Sequence, residues 1–415
     1  MSQSNDKSEQ STPESAPRRR AWRTRTRVLL IIALTGLSLV AVKSVRVYHL
    51  RKLAWDTSVA RQNADWPKVE EISRKWSESD PNSALPWLIA SDAAQKRGGI
   101  ARAAEYLAQL PDSDPRTPPA LLELGNLYFA QLFQPLDGEA ACLRAIEMDP
   151  QLTEGYRRII FYYGITLQRA KMVEMCRTAI ENDCAIPETY IYLIGADWIT
   201  FSNAQDMNQA WLRANPDNEL FEVAMLIHWV GSSALDESAQ VVEDIEGNQT
   251  QLAEYEARLR EAISRYPTNP ELLAYFLKRA VTAGELAEVE TLLSRVPSEA
   301  GEDNRFWRYK GWLHASRNEL EEAEAAYRKA LELNPYDWHS QHELAGVMRR
   351  FGKSEEVELL EKKAIFGKEL RQQILALKDV QSASREILQA MRQYALMCDD
   401  QTVAQKLLQC MAERY

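Results

Sequence analysis

His339 and His342 stand three residues apart, with Glu343 beside them. On a helix that spacing puts both imidazoles on one face, the arrangement from which a metal site starts. Two ligands without a third do not complete such a site, so two solvent-facing histidines is the reading adopted. Cys142 and Cys176 are 34 residues apart and would sit on equivalent helices. A redox pair is one reading of them. Small buried packing residues is the preferred one, because free cysteine usually packs inside. The five cysteines (Cys142, Cys176, Cys184, Cys398 and Cys410) contain no Cys-x-x-Cys pair and are too sparse and odd in number for a disulfide framework. There is no nucleophile elbow, phosphate-cradling glycine loop or His-Glu-x-x-His motif. Nothing calls for catalysis, a cofactor or a metal, and the chain reads as a binding protein.

A set of basic and aromatic residues says more about binding. One helical register aligns Lys278, Arg305, Arg308, Trp312, His339, His342, Arg349 and Arg350 along what would be a groove. Guanidinium forks and an indole face suit the carboxylates of an acidic peptide or a free C-terminus. Upstream, the same register aligns Leu122, Asn126, Phe129, Phe161, Trp198, Met225 and Trp229. That apolar set suits a partner helix or extended segment. Packing within the fold is the competing reading for Phe129, Phe161 and Trp198, because aromatic rings are more often buried than exposed.

The register rests on self-similarity. The first large apolar position recurs at Leu53, Trp87 and Leu121, then at Tyr156, Tyr190 and Ala224, then at Leu273, Trp307 and Gln341, in steps of 34 or 35 residues. Gly284, Asn318 and Gly352 mark one turn at the same step. Glycine and asparagine tolerate the left-handed backbone that such turns need. Two steps are longer and imply insertions near 231–251 and 365–380. The last unit starts at Leu388. Its Met391, Leu408 and Met411 would give an apolar end face on which a second copy could pair.

The cleanest copy runs from Asn304 to Pro335, with Trp307, Gly311, Ala323, Tyr327, Ala330 and Pro335 in place. Small residues at Gly311 and Ala323 let two antiparallel helices approach, and Trp307, Tyr327 and Leu331 fill the space beside them. This segment resembles the tetratricopeptide repeat. The resemblance implies an all-α, right-handed superhelical solenoid of about ten helix pairs over residues 50–415. It also implies that the first helix of each pair lines a concave face that receives a protein or peptide partner. The Lys/Asn set with which some such proteins grip a C-terminal carboxylate is missing from matching units, so binding of chaperone tails is not implied.

Charge and the N-terminus add a location. Residues 1–17 are polar and Pro/Ser-rich, and read as a disordered tail. Residues 18–48 hold a basic flank (Arg18 to Arg27), an uncharged run from Val28 to Val42, and Lys43 and Arg46. Trp22 and Tyr48 sit where interfacial aromatics would sit. The run reads as a single transmembrane anchor with the N-terminus cytoplasmic and the repeats in a periplasmic or equivalent space. Its 15 residues fall short of the roughly 20 a span needs, so a cleaved signal segment, leaving an exported accessory or regulator of an envelope-assembly or secretion complex, is the alternative. The chain carries 50 basic and 60 acidic residues, of which 11 and 3 lie in residues 1–52. The remainder therefore holds 39 and 57, a net charge of about −18, which disfavours a nucleic-acid partner.

Overall fold

The structure, a computed structural model, describes residues 18–199, 201, 203–234 and 245–414, with side chains from 34 onward except 39 and 231–253. The expected tail at 1–17 and residues 235–244 of the expected insertion at 231–251 lie outside the described residues. The described residues form twenty α-helices and three short turns of other helix types, with no strand. The expected all-helical class therefore holds. The chain divides into two compact units, residues 1–114 and 115–415.

The first unit contains α1 (Arg18–Gln62), α2 (Trp66–Ser79), α3 (Leu85–Lys96) and α4 (Ile100–Ala108), each packed on the next. Leu53, Thr57 and Ala60 of α1 are buried towards α2. Glu70 of α2 is buried too. It accepts hydrogen bonds from Arg97 at 2.6 Å and from the Tyr106 hydroxyl at 2.7 Å, so its charge is compensated. Helix α1 is continuous for 45 residues, but among the described residues no helix is long and apolar enough to cross a membrane. The full span expected from Val28 to Val42 thus finds no support here, since charged residues bound the run at Arg27 and Lys43.

The second unit runs from α5 (Thr117–Leu127) and α6 (Pro135–Met148) through α7 (Thr153–Ile165), α8 (Arg169–Glu181), α9 (Pro187–Ile194), α10 (Ala204–Ala214), α11 (Glu219–Ala234) and α12 (Ile245–Arg265). It continues with α13 (Pro270–Ala283), α14 (Leu286–Ser294), α15 (Asn304–Ser316), α16 (Leu320–Leu333), α17 (Trp338–Arg350), α18 (Ser354–Leu375), α19 (Arg385–Met397) and α20 (Gln401–Arg414). The pairs α5/α6, α7/α8, α13/α14, α15/α16, α17/α18 and α19/α20 are antiparallel hairpins of the expected kind. Helix α18 has 22 residues against 14 in α16, so the extra length expected near 365–380 lengthens a helix before it makes a turn.

The backbone carries the repeat register openly. Gly284, Asn318 and Gly352 have φ of 74°, 66° and 72°. The same left-handed turn occurs at Ala64, Gly98, Phe133 and Leu167, spaced 34, 35 and 34, and again at Asp399. At the crossing of α15 and α16, a Cβ on Gly311 would lie 2.7 Å from ring carbons of the fully buried Tyr327. The corresponding contact of α5 and α6 is Gly125 against the Cys142 sulfur, 2.8 Å from such a Cβ. Cys142 therefore fills the slot that Tyr327 fills later, and Cys142 and Cys176 are both buried and free. Burial pushes the Cys142 thiol up to about 11 and the Cys176 thiol up as well, which leaves both unreactive.

A substitution pair tests that crossing. Gly311→Ala is expected to cost about 1–3 kcal/mol, because the added methyl would meet the ring of the fully buried Tyr327 at 2.7 Å. Gly346→Ala in α17 should instead be neutral or gain up to about 1 kcal/mol, since its added methyl meets nothing within 4 Å and alanine is the better helix former. Urea midpoints of the two variants give the comparison, and equal effects would refute the close crossing.

Candidate partner-binding surface

First helices α13, α15 and α17 pack side by side, so the expected basic strip can be placed residue by residue. It splits in two. One half is spent inside the fold. Arg305 is 6% exposed, and its guanidinium donates to Glu271 at 2.5 and 3.0 Å and to Asp303 at 2.6 Å. Arg308 reaches Asp337 at 2.7 Å and Asp197 at 3.3 Å. These two are corrections to the groove reading: their charges are neutralised by carboxylates of the same chain.

Local sequence puts those carboxylates in position. Asp303 and Asp337 are the N-caps of α15 and α17, where a short acidic side chain accepts from the first free amides. Asp303 also takes the guanidinium of Arg305, two residues on, while Asp337 takes Arg308 of the preceding first helix through the same oxygen that caps α17. Asp337 also accepts from Ser340 Oγ at 2.6 Å and from Asn304 Nδ2 at 3.1 Å. Arg308 and these donors hold the Asp337 carboxyl below its ordinary value, against burial. Asp197 is pushed up, by burial and by Asp337 next to it. Two arginines beside Glu271 hold its carboxyl down at about 2 against the effect of burial.

The cluster joins distant parts of the unit. Arg169, at the start of α8, donates to Glu271 at 3.2 Å, and Asp197, after α9, accepts from Asn304 at 2.7 Å. Farther along, Arg177 of α8 donates to Asp400 at 2.5 Å, Tyr336 donates to the same carboxylate at 2.9 Å, and Lys406 pairs with Asp183. Helix α9 packs on α19 and α20. The second unit therefore curls until late repeats meet early ones, and Arg305 and Arg308 lie in the seam.

The other half of the strip faces solvent. Lys278 and His342 are exposed, and Trp312 is half-buried against the α13–α15 core. Arg349 and Arg350 are exposed and engage Glu361 and Asn318. The open space at Gly346 lies on the same helix as His342 and Arg349. His339 divides between the halves: its ring stacks on Trp338 at 3.5 Å, with Nδ1 3.8 Å from Asp337. Burial and the Arg308 charge push its pKa down. Among the described residues no group of three or more His, Cys, Asp or Glu is placed to hold a metal ion.

The apolar upstream set goes mostly to packing. Leu122 and Met225 are buried. Phe129 packs on Tyr162 and Trp211, and Trp211 Nε1 donates to the Phe129 carbonyl at 2.9 Å. Phe161 meets Phe201 edge-on. Trp229 stacks face to face on Tyr255 of α12 at 3.3 Å. Trp198 lies under the Arg371 guanidinium at 5.8 Å. Asn126 is exposed on α5. At the last unit, Met391 and Met411 are buried within α19 and α20, which removes them from the expected apolar end face and leaves Leu408 exposed.

Residues 310–337 match the family model of the tetratricopeptide repeat. No curated protein matches the chain. Among solved structures, the chain is similar to the MamA protein, at 16% identity and a TM-score of 0.29, over 46% of this chain and 98% of that one. It is similar to a human IFIT1 dimer with m7Gppp-AAAA, at 14% identity and a TM-score of 0.30, over 86% and 75%. It is also similar to the APC/C hetero-tetramer Cut9-Hcn1, at 12% identity and a TM-score of 0.32, over 88% and 78%. These are loose likenesses.

Proposed function

We propose that this chain is a protein-interaction scaffold, tethered at a membrane through the apolar run within α1, that receives an acidic peptide or protein segment across α13, α15 and α17. The carrying observation is the divided strip. Lys278, Trp312, His342, Arg349 and Arg350 recur on neighbouring first helices and are exposed or half-exposed, and none of the four basic side chains among them is buried in the fold. The exposed pairs of Arg349 and Arg350 are screened by water and are easily exchanged for a partner's carboxylates. Arg305 and Arg308 support this surface from beneath by fixing α15.

Photocrosslinking from position 312 captures the partner, with position 294 on α14 as the control site. Changing Arg349 and Arg350 together to Glu is then expected to weaken the captured interaction about tenfold, since contacts to carboxylate partners become repulsive, with helicity unchanged. Unaltered affinity would remove the partner from this face. Fractionation tests the tether. Retention in the membrane pellet after alkaline washing supports it. A soluble product shortened near residue 43 would instead identify a cleaved export signal.

A further inference from the structure

Helix α1 has a second face that the fold leaves bare. Arg46, Leu50, Leu53, Thr57 and Ala60 turn towards α2, where Leu53, Thr57 and Ala60 are buried and Arg46 reaches the Ser79 carbonyl. At 100° per residue, the flank about 130° away carries Val45, Tyr48, Lys52, Trp55 and Val59. Tyr48 is 72% exposed and Trp55 70% exposed. Large aromatic side chains this open on a folded unit mark an interaction surface. Their spacing is 3, 4, 3, 4, the alternation of a coiled-coil seam, and it extends N-terminally through Ala41, Ser38 and Leu34. Between 34 and 42 every face of the helix is apolar, so the periodicity becomes diagnostic from Val45 onward. There Val47 alone among the exposed large apolar residues falls off the seam.

We propose that α1 pairs in parallel and in register with α1 of a second copy of this chain. Charge selects that occupant. With Val45, Lys52 and Val59 at a and Tyr48 and Trp55 at d, Arg51 falls at g and Asp56 at the following e. In a parallel dimer these two positions meet across the seam, so Arg51 of each copy faces Asp56 of the other, twice by symmetry. An antiparallel arrangement does not bring that pair together. A single lysine at an a position, here Lys52, also favours a defined register at some cost in stability. The buried face of α1 falls on positions b and f, outside the seam, so α2 and the partner helix occupy different sides.

The test uses the full chain in mild detergent, with mass read by light scattering and sedimentation. The unaltered protein is expected at twice the chain mass, and Trp55→Asp at the single mass with unchanged helicity. Arg51→Glu should raise the dimer dissociation constant about tenfold, because two attractive pairs turn repulsive. Adding Asp56→Arg to it should restore the parent value. In a Cys410→Ser background, a short bis-maleimide should link Tyr48→Cys chains and leave Val47→Cys chains unlinked. A single-mass parent protein overturns the proposal, including the case where Trp55→Asp releases the chain from vesicles and so assigns the stripe to a lipid surface. A dimer that links through 47 and not 48, or that ignores the charge exchange, overturns the parallel register.

Discussion

Arg305→Ala is expected to destabilise the second unit by about 3–5 kcal/mol, because it leaves two mostly buried carboxylates without their counter-charge. Asp303 loses three hydrogen bonds from the guanidinium, and Glu271 loses two while keeping Arg169. Both are held at helix starts, Asp303 as the cap of α15 and Glu271 in the first turn of α13, and little of either faces water. Arg305→Lys should recover a minor part, as one ammonium cannot serve two carboxylates with paired donors. Glu271→Ala alone should also destabilise. Its combination with Arg305→Ala should cost less than the two added together, because the two residues interact directly. Repeat arrays need not unfold in one step. The readout is therefore hydrogen exchange of α13 and α15 beside the urea midpoint. A loss under about 1 kcal/mol would mean that water already reaches the cluster.

That cluster marks where reading the chain by period stops working. The hairpins were legible because their causes are local: an apolar position every 34 residues, small residues such as Gly311 at a crossing, and Gly284, Asn318 and Gly352 where φ turns positive. The structure repeats the turn at Ala64, Phe133 and Leu167, whose side chains give no hint of it in the sequence. The strip was legible as a row of positions and illegible as a surface. Arg305 and Arg308 sit on a first helix, but Asp197, 111 residues before Arg308, and Arg169, 102 before Glu271, come to meet their cluster. No local pattern reports how tightly a stack curls. A usable signal was present nonetheless: Asp303 and Asp337 precede their helices as caps, with Arg305 two residues after one of them. An acidic cap followed closely by arginine favours an internal pair over a free cation.

Curling also changes what the inner face offers. On the proposed reading, a partner would meet Lys278, Trp312, His342, Arg349 and Arg350 on an edge whose deeper half is already filled by the chain's own carboxylates. An acidic segment entering further would have to displace Asp197 or Asp337 from Arg308, and both are buried. The proposal therefore assigns affinity to the outer residues. Substitutions of Arg308 would report on folding before they report on recognition.

The second large effect is a loss of stability on mild acidification, centred on His228. This side chain of α11 is 2% exposed, stands edge-on to Phe201, and has no hydrogen-bond partner for Nε2 among the described residues. Burial, with the Arg169 charge nearby, pushes its pKa down to about 4, against about 6.5 when unfolded. Between those values the unfolded chain binds a proton that the folded chain refuses. Stability therefore falls as pH drops from 6.5 to 4, by about 3 kcal/mol in all, and this site adds nothing further below 4. The carboxylates act in a lower window. Glu271, held at about 2, contributes stability above its unfolded value near 4.5 that is lost as pH falls towards 2. Urea midpoints from pH 7.5 to 3 separate the two windows. His228→Gln, which keeps an N–H donor and cannot titrate, should flatten the curve between pH 6.5 and 4 while leaving the drop below 4.5. His339, also pushed down, acts in the same direction, but its ring is 45% exposed and solvent screens much of the effect. If His228→Gln leaves the upper window unchanged and His339→Gln removes it, the acid sensitivity belongs to the ionic seam and not to the apolar pocket around Phe201.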